Sequence, residues 1–260
     1  MASEDSVRAG DTVLVIDEKG KKWMVRVESD KRLGTHRGEV DLEGLIGLRY
    51  GSSIKTHMGE KLWVLRPTVE DFMMKARRPT QIVYPKDLGF LIVRSGVRSG
   101  CRVAEAGTGS GVLTALLAWM VQPDGHVFSY DVREEFIRIA EKNLRRMGLI
   151  KYVVFKVKNV VEGIDERNLD AVYLDFDQPW KAVECAHEAL RGGGTLSIIT
   201  PTYNQAERVV SALNGRFINI ETIEVLLRKI LVRPGKTRPA SRMIGYTALL
   251  TTGRKILGDG

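Results

Sequence analysis

Residues 101–121 read CRVAEAGTGSGVLTALLAWMV. A short apolar run carries Glu105, breaks on a turn with Gly107, Gly109 and Gly111, and resumes as an almost unbroken aliphatic stretch. Glycine is the residue that lets a backbone bend sharply or come close to another group. A strand that ends on such a turn and passes directly into a helix is the opening half of a β-α-β unit.

The rhythm continues downstream. HVFSYDV is a strand, and REEFIRIAEKNLRRMG is an amphipathic helix with apolar residues at 136, 137, 140 and 144, stopped by Gly148. YVVFKVKNV and AVYLDF are strands, KAVECAHEALRGGG a helix with its stop, TLSIIT a strand and NQAERVVSALN a helix. Alternating strands and helices predict a doubly wound, mostly parallel sheet, so the fold class is α/β. FINIETIEVLLRKILV and MIGYTALLTTG read as two more strands, expected as an antiparallel hairpin on the sheet edge. Upstream, TVLVID and KWMVRVE flank the turn EKGK and predict a small N-terminal β domain over residues 1–66. Residues 67–98 read as a link, with a helix start at Thr68 and Glu70 and then RPTQIVYPKD extended or looped around its prolines. The α/β domain takes residues 99–260.

The chain has 260 residues, 43% of them hydrophobic and 28% charged, which suits a globular protein. No apolar run reaches the roughly 18 residues of a membrane span, and MASEDSVRAGD does not read as a signal peptide. Cys101 and Cys185 make no disulfide framework, so a cytoplasmic protein with reduced thiols is expected. The four histidines show no metal spacing, and no metal site is expected. The formal net charge is +8. Six basic residues and no acid lie in RKILVRPGKTRPASR (228–242), and six with one acid in residues 75–98. Both stretches point to a polyanionic partner, with a pair of solvated loops as the other reading.

In a doubly wound sheet, ligands collect at the carboxyl ends of the strands. The turn Glu105-Ala-Gly107-Thr-Gly109-Ser-Gly111 is not the G-x-G-x-x-G of a dinucleotide site: its third glycine comes one residue early, and Val112 holds the dinucleotide position. An acid two residues before the first glycine repels a pyrophosphate and suits a cationic, amino-acid-like ligand. The next strand ends on Asp131, 20 residues after Gly111, where a carboxylate can take both hydroxyls of a ribose.

Together, the early acid, the G-x-G-x-G turn and the second-strand acid resemble class I S-adenosylmethionine-dependent methyltransferases with a Rossmann-like sheet. By that resemblance Glu105 and the turn Gly107, Gly109, Ser110, Gly111, Val112 and Leu113 hold the methionine moiety. Asp131 takes the ribose, Asn159 and Val160 flank the adenine, and Gln81 contacts the amino-acid end. Asn159 stands where many relatives carry Asp.

The stretches RPTQIVYPKD, EAGTGSG, SYDVREEF, LDFDQPWK and TPTYNQ, with GYTALL near the end, resemble a narrower family over nearly the whole chain. That family is the tRNA (adenine-N1)-methyltransferases of the T-loop, archaeal branch included, which act on adenine-58 and in some members on adenine-57. It implies S-adenosylmethionine as cofactor, tRNA as partner and a homo-oligomer, a tetramer in relatives. Asp175, ending the fourth strand, then faces the methyl acceptor. Adenine N1 has a free lone pair, so no base is needed to expose it; a carboxylate on the adjacent N6 amine raises its nucleophilicity and stabilises the developing cation. Tyr84 and Trp180 are aromatic candidates to hold the splayed base, with Trp180 equally readable as packing. Tyr203 and Tyr246 stay open, the latter where relatives often carry His. Two rivals remain: an RNA-binding subunit without catalysis, and a methyltransferase of another class such as protein isoaspartate repair.

Overall fold

The computed structural model describes residues 5–76 and 82–258, and the chain divides into two compact units, Met1–Ala76 and Arg77–Gly260.

In the first unit β1 (Thr12–Asp17) pairs antiparallel with β2 (Lys22–Arg26). Strands β3 (Arg32–Thr35) and β4 (Gly38–Asp41) form a separate hairpin. Strands β5 (Ser53–Lys55) and β6 (Lys61–Leu65) complete a four-stranded sheet in the order β2-β1-β6-β5. Alternation sends Val13, Val15, Leu62 and Val64 into a core shared with Val40 and Leu45. The short helix α1 (Val69–Lys75) starts on Thr68, whose hydroxyl accepts from the Asp71 N–H while Asp71 accepts from the Thr68 N–H. The N-terminal box thus closes on Asp71, one residue beyond the expected Glu70.

The second unit opens with α2 (Pro85–Ser95). The reading of YPKD as extended or looped is corrected here, because Pro85 occupies the first helical position, where a missing N–H costs nothing. Gly96, at φ +66°, closes the helix. There follow β7 (Arg102–Ala106), α3 (Val112–Val121), β8 (His126–Asp131), α4 (Glu134–Arg146), β9 (Val153–Val157), β10 (Leu169–Leu174), α5 (Val183–Ala189), β11 (Leu190–Thr200), α6 (Tyr203–Leu213) and β12 (Phe217–Ile223). A two-stranded ribbon, β13 (Ile230–Leu231) with β14 (Arg238–Pro239), precedes β15 (Leu249–Lys255).

The seven-stranded sheet has the order β12-β15-β11-β10-β7-β8-β9. Of these strands β15 alone runs antiparallel, to both β11 and β12. The expected terminal pair is therefore antiparallel as read, but β15 is inserted between β11 and β12 and only β12 forms the edge. Strand parity sorts the two faces. Ala104, Ala106, Val172, Leu174, Leu196 and Ile198 pack with Val183 and Ala186 of α5 and Val209 and Leu213 of α6. The alternate residues face the other way, where the Glu105 carboxylate meets Thr114 of α3 and Tyr173 meets Ser95 of α2. The chain leaves β7 towards β8 and β9, then returns to β10 on the other side, so the crossover point lies between β7 and β10, where such folds bind ligands.

Candidate active site

A cavity of about 530 Å³ opens at that crossover point, within the size range of a small-ligand site. Its floor is the turn after β7. Gly107 has φ +96°, and a Cβ there would stand 2.0 Å from the Asp175 carbonyl oxygen. Gly111, at φ +76°, would drive a Cβ to 2.7 Å from the Ala140 Cβ on α4. Two of the three glycines are therefore demanded by chain-to-chain contact, whatever ligand comes. The turn is held from both sides: the Gly107 N–H donates to the Tyr130 carbonyl at 2.9 Å, and Asn143 of α4 donates to the Ser110 carbonyl at 2.9 Å.

Four carboxylates line this cavity. Glu105 is 1% exposed, and its Oε2 accepts from Thr114 at 2.6 Å and Ser129 at 2.9 Å. Burial pushes its pKa up to about 8; the two hydroxyls oppose that rise, and the charges of Asp175 and Asp131 add to it. Asp131 ends β8, 6% exposed, with one oxygen accepting from the Gly109 N–H at 3.1 Å and the other from the Arg133 N–H at 3.0 Å. Asp175 lies one residue past β10, its N–H donating to the Ala106 carbonyl at 2.9 Å. Among the described residues no donor reaches its carboxylate, and burial pushes its pKa up to about 6. Asp177 is exposed at the rim.

At the far end Asn159 accepts from the Val161 N–H at 3.1 Å and so fixes a short turn over residues 160–162, presenting buried Val160. Phe136 forms a wall, with the Arg133 guanidinium 3.6 Å from its ring centre. Ile82 and Val83 supply a further apolar lining. Four carboxylates against the two cations Arg133 and Lys158 along the cleft favour a ligand carrying positive charge and hydroxyls, with a flat apolar group against Val160 and Phe136.

The structure brings Glu105, Gly107, Gly109, Ser110, Val112, Leu113, Asp131, Asn159, Val160 and Asp175 to one cavity, with Gly111 just behind it. Gln81 lies outside the described residues. Tyr84 caps α2 through its backbone, and Trp180 rests against the core with the Arg208 guanidinium 5.1 Å above its ring; neither lines the cavity. Ile82, Val83, Phe136 and Phe176 escaped the sequence reading, since apolar residues at element ends look like ordinary core, and Lys158 escaped it as an ordinary surface cation. Among the described residues no group of His, Cys, Asp or Glu is arranged to hold a metal ion, and no helix is long and apolar enough to cross a membrane.

The family model described as the tRNA methyltransferase complex GCD14 subunit matches residues 61–249, and the TrmI-like N-terminal model matches residues 6–54. The chain is 35% identical to the tRNA (adenine(57)-N(1)/adenine(58)-N(1))-methyltransferase TrmI of Methanocaldococcus jannaschii, over 93% of this chain and 94% of that protein. It is 34% identical to the tRNA (adenine(58)-N(1))-methyltransferase TrmI of Thermus thermophilus, over 94% of this chain and 96% of that one. Among solved structures, the tRNA (m1A58) methyltransferase TrmI of Aquifex aeolicus superposes with a TM-score of 0.83 at 30% identity, covering 97% of this chain and 99% of its own. The SAM-dependent O-methyltransferase of Thermotoga maritima superposes with a TM-score of 0.92 at 39% identity, covering 98% of this chain and 97% of its own.

Proposed function

The chain belongs to the GCD14/TrmI family of tRNA methyltransferases, and from that premise we propose that it transfers a methyl group from S-adenosylmethionine to N1 of adenine-58 in the T-loop of tRNA. The observation that carries this reading is the Asp175 carboxylate: half-buried in the cavity wall, without a donor among the described residues, and tied through its backbone to the turn that floors the cavity.

The cavity suits the cofactor on its donor chemistry. Glu105 has one oxygen held by Thr114 and Ser129, which leaves the other for an ammonium group. Asp131 is fixed at the strand end by two backbone N–H groups, each oxygen keeping a lone pair for a ribose hydroxyl. Val160 and Phe136 offer faces for the adenine ring, beside Asn159. Bound there, S-adenosylmethionine supplies an electrophilic methyl on a sulfonium.

The protein's part is then orientation and electrostatics. With a pKa of about 6, Asp175 is mostly ionised at neutral pH. It accepts a hydrogen bond from the N6 amine of the target adenine, which increases electron density at N1, and it faces the positive charge that forms on the ring. No proton has to leave before the bond forms, and on this reading Asp175 takes one from N6 afterwards. The target base lies inside a folded loop and must be turned out to reach the cleft.

Residues 228–242 support tRNA as partner, because their six basic side chains are exposed and make no ion pair among the described residues. The 75–98 stretch contributes less than its charge suggests: Lys86 is bound to buried Asp87, and Arg94 pairs with Glu221. Exposed Leu226, Leu227, Ile230, Val232 and Ile244 around the same segment support a homo-oligomer, for which we take the tetramer, working in the cytoplasm.

The test uses the purified protein, labelled S-adenosylmethionine and an unmodified tRNA transcript, with Asp175→Ala beside the wild type and product nucleosides identified by mass spectrometry. We expect N1-methyladenosine at position 58 and a rate loss of about a hundredfold or more in the variant. Fragment mapping shows whether adenine-57 is also methylated. Similarity to the Thermotoga O-methyltransferase favours a second reading, in which Asp175 is the base that deprotonates a hydroxyl. A 2′-O-methyl product, or transfer to a small hydroxyl compound and none to tRNA, would establish that reading instead. Cofactor binding without transfer to any tRNA would leave a non-catalytic RNA-binding subunit.

A further inference from the structure

Two tyrosines far apart in sequence stand together outside the cavity. Tyr203 opens α6 and is 67% exposed; Tyr246 lies three residues before β15 and is 43% exposed. Their rings stack with centroids 6.3 Å apart and planes 26° from parallel. The Tyr246 hydroxyl donates to the Pro201 carbonyl at 2.6 Å, which fixes that ring against the end of β11. A polar tip satisfied by the backbone, behind an aromatic face left in water, is an expensive arrangement for a surface with nothing to bind.

Its position says what it would meet. β10 and β11 are neighbours in register, Leu174 opposite Ile198, so Asp175 and Pro201 both lie just past the carboxyl ends of adjacent strands. By strand spacing they are within roughly 10 Å of each other. The cavity residues come from the ends of β7 and β8, the turns after them and after β9 and β10, the first turns of α3 and α4, and Ile82 and Val83 before α2; none comes from β11 or the turn after it, where Tyr203 and the Pro201 partner of Tyr246 stand. Charge narrows the occupant. The exposed basic segment 228–242 leads directly into Tyr246, and exposed Arg208 on α6 lies over Trp180. An aromatic face that follows a cationic segment in the chain, with Glu224 as its nearby acid, suits an unpaired nucleobase on a phosphate backbone.

We propose that Tyr203 stacks an unpaired base of the RNA substrate next to the adenine that is methylated, with Tyr246 as the positioning residue that backs it. This rests on the tRNA methyltransferase reading and adds the contact that would hold the opened loop over Asp175. An exposed aromatic ring is worth about tenfold to a hundredfold in affinity when it stacks a base.

The experiment measures binding of unmodified tRNA to the full-length protein by fluorescence anisotropy, with S-adenosylhomocysteine present, at low and at moderate salt. Tyr203→Ala should weaken binding about tenfold or more, by the same factor at both salt concentrations, since stacking releases no counterions. Tyr203→Trp should restore it. Tyr246→Phe keeps the stack and loses the Pro201 bond, so a smaller loss is expected than for Tyr246→Ala. Affinity for the cofactor and the oligomer mass should be unchanged in every variant. Binding of Tyr203→Ala within twofold of the wild type overturns the proposal, as does a loss that accompanies dissociation of the oligomer, which would make the rings a contact between copies. If wild type forms N1-methyladenosine while Tyr203→Ala binds normally, the platform fails and the function stands. If Tyr203→Ala loses binding while wild type makes another product, the platform stands and the assignment to adenine N1 fails. Wild type that does not bind tRNA overturns both.

Discussion

Gly107 and Asp175 touch through their backbones: a Cβ on Gly107 would lie 2.0 Å from the Asp175 carbonyl oxygen. The cofactor turn and the acceptor-facing acid are thus one piece of backbone, reinforced by the bond from the Asp175 N–H to the Ala106 carbonyl. Gly107→Ala is strained by its φ of +96° as well as by the clash, and the strand ends must part to admit it. We expect the variant to lose both cofactor affinity and methyl transfer, each by more than tenfold, with a lower melting temperature. Calorimetry with the cofactor and single-turnover transfer measure the two effects separately. A variant that binds normally and loses only transfer would show that the turn and Asp175 are not coupled in this way.

Asp175→Asn should lose activity and gain stability. Burial raises the native pKa from its ordinary value near 3.8 to about 6, so the ionised carboxylate costs the folded state free energy at neutral pH. At 1.36 kcal/mol per unit the upper figure is about 3 kcal/mol, less what the cavity's solvent recovers. The sign follows from proton uptake. Between pH 4 and 6 the native protein holds the proton more tightly than the unfolded chain, so wild type becomes less stable as pH rises through that window. The advantage of Asn should therefore be full above about pH 6 and vanish below about pH 4. Denaturant midpoints across that range check it, while the transfer rate of wild type should fall as pH drops below 6, where the carboxyl is protonated.

Cofactor binding should release a proton through Glu105. With a pKa near 8 in the free protein, this carboxyl is largely protonated at pH 7. An ammonium group beside it favours the ionised form and lowers that pKa. Affinity should then rise with pH up to about 8 and flatten above, with close to one proton released at pH 7. Titration calorimetry in buffers of different ionisation enthalpy reads the proton count directly. Glu105→Gln should abolish the release and weaken binding, and unchanged release in that variant would move the proton to another group.

The strand-turn-helix of residues 102–121 was legible because both periodicities and the glycines agree there. The candidate site followed from it, since Glu105, Asp131 and Asp175 each end or nearly end a strand of one parallel sheet. What escaped depends on partners distant in the chain. Gly111 looks like a ligand glycine, but its need for φ +76° and a bare Cα comes from Ala140, which only the folded structure brings near. Pro85 reads as a breaker until Gly96 shows that it starts a helix. Lys86 counts as surface charge in the sequence, whereas its amine lies beside Asp87, which is fully buried. Strand order is invisible in the same way, since nothing in LLTTGRK says that it inserts between β11 and β12.

Lys86 is the residue whose loss should cost most outside the cavity. Its amine donates to Asp87 Oδ1 at 2.7 Å, the Val225 carbonyl at 2.7 Å and the Thr247 hydroxyl at 2.6 Å. The Thr247 hydroxyl in turn donates to Asp87 Oδ2 at 2.8 Å. This closed network ties both roots of the 225–247 segment, which carries the basic residues and Tyr246, to the start of α2. Lys86→Met keeps most of the side-chain volume but leaves a fully buried carboxylate without its cation, which typically costs about 3–5 kcal/mol. Lys86→Met with Asp87→Asn removes the stranded charge and should recover a good part of that loss, because the amide still accepts from Thr247. The anchoring effect separates from stability in limited proteolysis under native conditions. Cleavage within 225–247 should accelerate in Lys86→Met and stay faster than wild type in the double variant. Equal cleavage in all three proteins would mean that the segment is held in place by contacts other than Lys86.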